Sequence, residues 1–160
     1  MDNLLDTFHG LAPWIFGALL IAAAWSDARS YLIPNRLSIL IALFYVGYAL
    51  SSADAIDVIG AATVAIAVLV VAAALFAANL MGGGDVKLMA ASALWAGPAY
   101  VFPFLFVTAV SGGVLSLGVL LRPHLAALAG RGATTQNRRV PYGVAISAGG
   151  LLVAARLVGF

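Results

Sequence analysis

Almost every charge in this chain sits in a short joint between long apolar runs. Stretches at about His9 to Trp25, Leu37 to Ser51, Ile56 to Leu80, Tyr100 to Leu121 and Tyr142 to Phe160 are nearly free of ionisable groups. A bilayer core requires roughly 20 such residues for each helical crossing. With 64% hydrophobic and 9% charged residues, the chain lies far from the average usage of a soluble domain and reads as an integral membrane protein. Its net charge of +2 comes from scattered residues. They serve as orientation signals, and no nucleic-acid partner is expected. The absence of cysteine excludes disulfides, thiolate metal sites and cysteine nucleophiles. Asp2 and Asp6 precede the first apolar run and no basic residue does, the wrong polarity for a secretory signal peptide, so that run is expected to be a helix of the protein.

Reading the runs in order gives one membrane domain, residues 1–160. Pro34 stops a helix before it, and Asn35 is placed to cap the second one. The stretch from Val86 to Leu121 is too long for a single crossing and is interrupted at Gly97-Pro98 and again at Pro103. Lys and Arg gather on the cytoplasmic side of short loops. Putting Lys87 on the same side as Arg122, Arg131, Arg138 and Arg139 requires two passes between them. A short fourth helix at about Val86 to Ala96 and a fifth at Tyr100 to Leu121 supply these. The expectation is an all-α protein of six transmembrane helices with both termini outside. Gly130 to Asn137 reads as a cytoplasmic loop whose arginines meet anionic lipid.

That scheme sorts the acids. Asp2, Asp6, Asp54 and Asp57 fall on the outer side, and Asp27 and Asp85 alone fall on the cytoplasmic side. Asp85 closes Gly82-Gly83-Gly84, where the backbone is free to take unusual conformations, and opens a helix that it is suited to N-cap. Asp27 ends the first helix, where the macrodipole disfavours a negative charge, so structural convenience explains it poorly; pairing with Arg29 is the bland account. Acids near membrane depth are costly and point to function. Two carboxylates brought together retain one proton between them and act as acid and base at once, activating water and protonating the leaving amine in peptide hydrolysis. A Mg²⁺ or Ca²⁺ site would need more oxygen ligands than two aspartates in a chain without glutamate provide. No metal and no cofactor is expected. His9 and His124 lie near opposite faces, which argues against a shared metal or proton relay.

Gly82-Gly83-Gly84-Asp85-Val86-Lys87-Leu88 resembles the G-x-G-D-x-K-L motif of type IV prepilin peptidases. Asp27 with Ile33-Pro34-Asn35-Arg36-Leu37 resembles that family's first aspartate and I-P-N segment, and Pro141-Tyr142-Gly143-Val144-Ala145 is also similar to members. The resemblance implies a six-helix aspartic endopeptidase of the bacterial inner membrane that removes the basic leader from prepilins at the cytoplasmic face, just before the hydrophobic segment that assembles the pilus. It makes Asp27 and Asp85 the catalytic pair, with Gly82, Gly83, Gly84, Lys87, Pro34 and Asn35 positioning substrate or backbone. Only about ten residues separate Asp27 from the second helix, and cysteine is absent. The chain therefore resembles the small peptidase-only members associated with Flp or Tad pili, in which N-methylation is not expected.

Two other readings compete. Presenilin-like and signal-peptide-peptidase-like proteases share G-x-G-D, but their first aspartate usually follows Tyr and they carry P-A-L; here Ser26 precedes Asp27 and no P-A-L occurs. A proton-coupled transporter would string acids across the bilayer rather than gather two at one face.

Overall fold

The structure, a computed structural model, describes residues 2–52, 56–128 and 140–160, with side chains for 7–52, 56–122 and 140–160. Arg131, Arg138, Arg139, the polar stretch Gly130 to Asn137 and Asp54 lie outside the described residues, as do the side chains of Asp2, Asp6 and His124. The fold is all-helical, with no strand among the described residues: α1 (Asp2–Ser30), α2 (Asn35–Ser51), α3 (Val58–Ala77), α4 (Gly83–Leu128) and α5 (Tyr142–Val158). Helices are what lipid permits, since each closes its own backbone hydrogen bonds. Three segments are long and apolar enough to cross a membrane, Thr7–Ser30, Val58–Ala77 and Gly83–Arg122, while α2 and α5 are shorter apolar helices. Large apolar side chains such as Ile59, Phe102 and Phe106 point outward and are mostly exposed. That is how a membrane protein meets its solvent.

Three expected helices come out differently. α1 begins well before His9 and runs on through Asp27 to Ser30, passing Pro13 without ending. The expected fourth and fifth helices form one element, α4, interrupted at a single non-helical residue, Gly97 (φ 52°, ψ −168°). Pro98 disfavours the helical region for the residue before it, and the conformation left to Gly97 is open only to glycine. Pro103, the second expected interruption, is absorbed without a break. The last part of α4 also continues to Leu128, seven residues beyond the expected end at Leu121, so Arg122 is helical rather than the start of a loop.

α4 packs on α2, α3 and α5, and α1 packs on α2 and α5. Trp95 pins three of these helices together. It stacks on Phe16 of α1 (centroids 4.6 Å apart, planes 2° apart), meets Tyr45 and Tyr48 of α2, and donates its indole N–H to the Ile41 carbonyl at 3.0 Å. Such ring pairs add about 0.5–1.5 kcal/mol each beyond the area they bury. They hold the first half of α4, which carries Asp85 in its first turn, against α1 and α2.

A Cβ at Gly97 would meet only the Ala61 methyl at 3.9 Å, so space is not what requires glycine there. Gly97→Ala is therefore expected to cost about 1–3 kcal/mol through backbone conformation alone. Thermal unfolding in detergent checks this: a clearly lower midpoint is expected for Gly97→Ala, whereas Gly113→Ala, at an open helical position, leaves it unchanged or slightly raised.

Candidate active site

Asp27 lies in the last turn of α1 and is only 4% exposed. Its own helix presents carbonyls at this end, which is why its charge looked misplaced from sequence. The remedy comes from α5. That helix starts after Pro141, which offers no side-chain cap; Tyr142 N–H and Val144 N–H reach the Val140 and Pro141 carbonyls, and Gly143 N–H is left without a partner from its own chain segment. Asp27 supplies it from across the bundle. Gly143 N–H donates to Asp27 Oδ2 at 2.7 Å. A charge-assisted bond of this kind contributes about 1.5–3 kcal/mol. Arg29 is not engaged with the carboxylate: its guanidinium lies over the Trp25 ring, 4.2 Å from the centroid.

Asp85 is the third residue of α4, not its N-cap as expected. Its Oδ2 reaches back to accept from Gly82 N–H at 3.2 Å, the reciprocal half of a capping box. Asp85 lies near enough to Asp27 to feel its charge. Ile33 keeps the two turns in register. A Cβ on Gly84 would stand 3.1 Å from Ile33 Cβ, and one on Gly143 would stand 2.7 Å from Ile33 Cδ1, so both helix starts close onto this one side chain through their glycines.

The joint carrying Ile33 is itself tied down. Ser26 donates to the Leu32 carbonyl at 2.8 Å, Tyr31 adopts a left-handed conformation (φ 53°) and Tyr31 N–H bonds the Asp27 carbonyl at 2.8 Å. Pro34, rather than Asn35, occupies the N-cap of α2, without a side-chain bond. Asn35 is thereby left to accept from Lys87 Nζ at 3.0 Å, linking α2 to the second residue after Asp85. All eight residues singled out in the sequence thus lie on the two turns and the joint between α1 and α2. No group of three or more potential metal-ligating side chains occurs among the described residues. What the arrangement offers chemically is two acids, one buried and one half-buried, each oriented by backbone N–H donors.

The sequence model of the type IV leader peptidase family matches residues 14–117, well over half of the chain, and that span contains both aspartates. The chain belongs to this family. No curated relative and no solved structure matches it. Family membership makes it a peptidase and a relative of enzymes that act on prepilin leaders. The matched span stops before α5, so the Gly143 donor that holds Asp27 in this peptidase lies outside it. Sequence reasoning missed it too, having noted Pro141-Tyr142-Gly143 only as a resemblance. The available signal was a proline-led helix start without a polar cap, facing an acid without an obvious partner.

Gly143 is the position where that missed contact can be tested. An added Cβ would stand 2.9 Å from Asp27 Oδ2 and 3.0 Å from Asp27 Cβ, besides the contact with Ile33. Gly143→Ala is expected to displace the carboxylate and lower peptidase activity by about 10²-fold, as misplacements near 1 Å do. Adding Ile33→Val removes Cδ1 and leaves the Asp27 conflict in place, so the double variant should stay inactive. Recovery of activity in the double variant would make the defect one of packing against Ile33.

Proposed function

We propose that this peptidase is a membrane aspartic endopeptidase in which Asp27 and Asp85 form the catalytic dyad, and that it removes the basic leader from type IV prepilins at the cytoplasmic face of the bacterial inner membrane. The observation that carries this reading is that two acids, 58 positions apart in sequence, are each held by an N–H group at a helix start, and that these two helix starts close on the same Ile33 side chain. One carboxylate takes a proton from water as the water attacks the scissile carbonyl. The other protonates the carbonyl oxygen and then the leaving amine, so no side-chain nucleophile is needed. The short joint between α1 and α2 and the lack of cysteine support the small, peptidase-only form associated with Flp or Tad pili.

Co-expression with candidate small prepilins, read as a gel shift on leader loss, tests the dyad. Asp27→Asn and Asp85→Asn should each remove essentially all cleavage while the protein still inserts, because Asn keeps the size but cannot exchange the proton. The double variant should be no worse than either single one, since groups acting as a unit are not additive. Cleavage should also survive chelation. Retained cleavage by Asp27→Asn, or loss on chelation restored by Mg²⁺, would overturn the two-aspartate mechanism.

The same reading takes α1, α2, α3, the two parts of α4 and α5 as six crossings with both termini outside. It predicts that single cysteines at Ser52 and at Thr134 of this cysteine-free chain react with an impermeant thiol reagent from opposite sides of sealed vesicles. Labelling of both from one side would exclude six crossings.

A further inference from the structure

α2 and α3 each pack on the first half of α4 but hardly on one another. The gap between them is a groove of about 520 Å³ floored by α4. α2 lines it with Asn35, Ser38, Ile39 and Ala42. α3 lines it with Ala62, Ala65, Ile66 and Leu69. α4 contributes Lys87, Ala90, Ala91 and Leu94. Each set repeats as i, i+3, i+4, i+7, so three helices turn one full apolar stripe each toward a common empty seat. Stripes of this kind, rich in alanine, are what a neighbouring helix packs against closely in lipid.

Three features identify the occupant. The groove runs about 10 Å along α4 from Lys87, at 1.5 Å per residue, and its Lys87 end lies two residues from Asp85 and is closed by the Lys87–Asn35 bond. Its wall carries Ser38, whose buried hydroxyl has no hydrogen-bond partner among the described residues, so the wall holds a polar group still to be satisfied. The one charge on the groove is positive, so an apolar segment is admitted and a basic one is turned away.

We infer that this groove seats the apolar helix that follows the scissile bond in the peptide substrate, with Lys87 keeping the basic leader on the far side of the dyad. This rests on the prepilin-peptidase reading above and adds to it where the substrate lies.

Cysteines introduced one at a time at Ala42, Ala62 and, as a lipid-facing control, Phe102 allow disulfide trapping against a prepilin carrying single cysteines along its apolar segment. Groove cysteines should trap substrate positions spaced three and four apart, and Phe102→Cys should trap none. Independently, Ala62→Trp fills the seat. It should raise KM for full-length prepilin by about tenfold with kcat little changed, the pattern of lost uniform binding, and leave unchanged the cleavage of a short peptide that lacks the apolar helix. If the wild-type protein removes leaders but trapping is no stronger in the groove than at Phe102, or Ala62→Trp cleaves full-length prepilin normally, the groove assignment is wrong and the enzyme assignment stands. Labelling of the groove by a photoreactive phospholipid that prepilin does not displace would make it a lipid seat instead. If the wild-type protein cleaves no prepilin, both readings fall together.

Discussion

The bond from Gly143 N–H to Asp27 Oδ2 joins the first helix to the last, and much of this end of the bundle depends on it. Without it, α1 would end in a buried carboxylate facing its own carbonyls, and the Gly143 N–H at the start of α5 would be left unpaired. Each defect is costly in a low-dielectric setting, and one contact removes both. The two backbones come close enough because position 143 lacks a Cβ and because Ile33 fits beside it. Helix-dipole interactions in partly buried sites reach about 2 kcal/mol, enough to matter against a net stability of only about 5–15 kcal/mol.

Much of the fold was legible because lipid leaves so few choices. Apolar run length and the need to satisfy every backbone group lead from sequence to helices with little freedom. The break at Gly97 was legible for a local reason: glycine before proline is a conformational statement that needs no tertiary context. Helix ends were less so. α1 runs past its apolar stretch into Asp27 and Arg29 because both find partners on other elements or rings, and no local property of the segment announces that.

In the site the division is similar. Asp27 and Asp85 stood out from charge sorting, since acids on the side of a membrane protein where bases collect need a reason to be there. Their supporting contacts did not stand out. Asn35 was read as a helix cap and instead meets Lys87, and Asp85, judged suited to the N-cap, instead sits three residues past it and caps from there. Both errors have one cause. A polar side chain near a helix start has local and distant options of similar energy, each near 1 kcal/mol, and only the packing of α2 against α4 decides between them.

The two aspartates are held in unequal ways, and this bears on how a dyad built from them would work. Asp27 is buried, in the middle of a continuous hydrogen-bonded run from α1 into the following joint, and is anchored by a helix from the opposite end of the chain. Asp85 is half-buried and anchored only by the residue three before it, at the end of a glycine segment whose backbone is the least restricted in the chain. Small adjustments between the carboxylates are therefore cheap on the Asp85 side and expensive on the Asp27 side. Closing on a peptide would draw the start of α4 toward a fixed Asp27, and three glycines before Asp85 are what that movement requires. A bulkier segment would still form the helix, since its cap needs only a backbone N–H, but it would lock the separation of the two acids before substrate arrives.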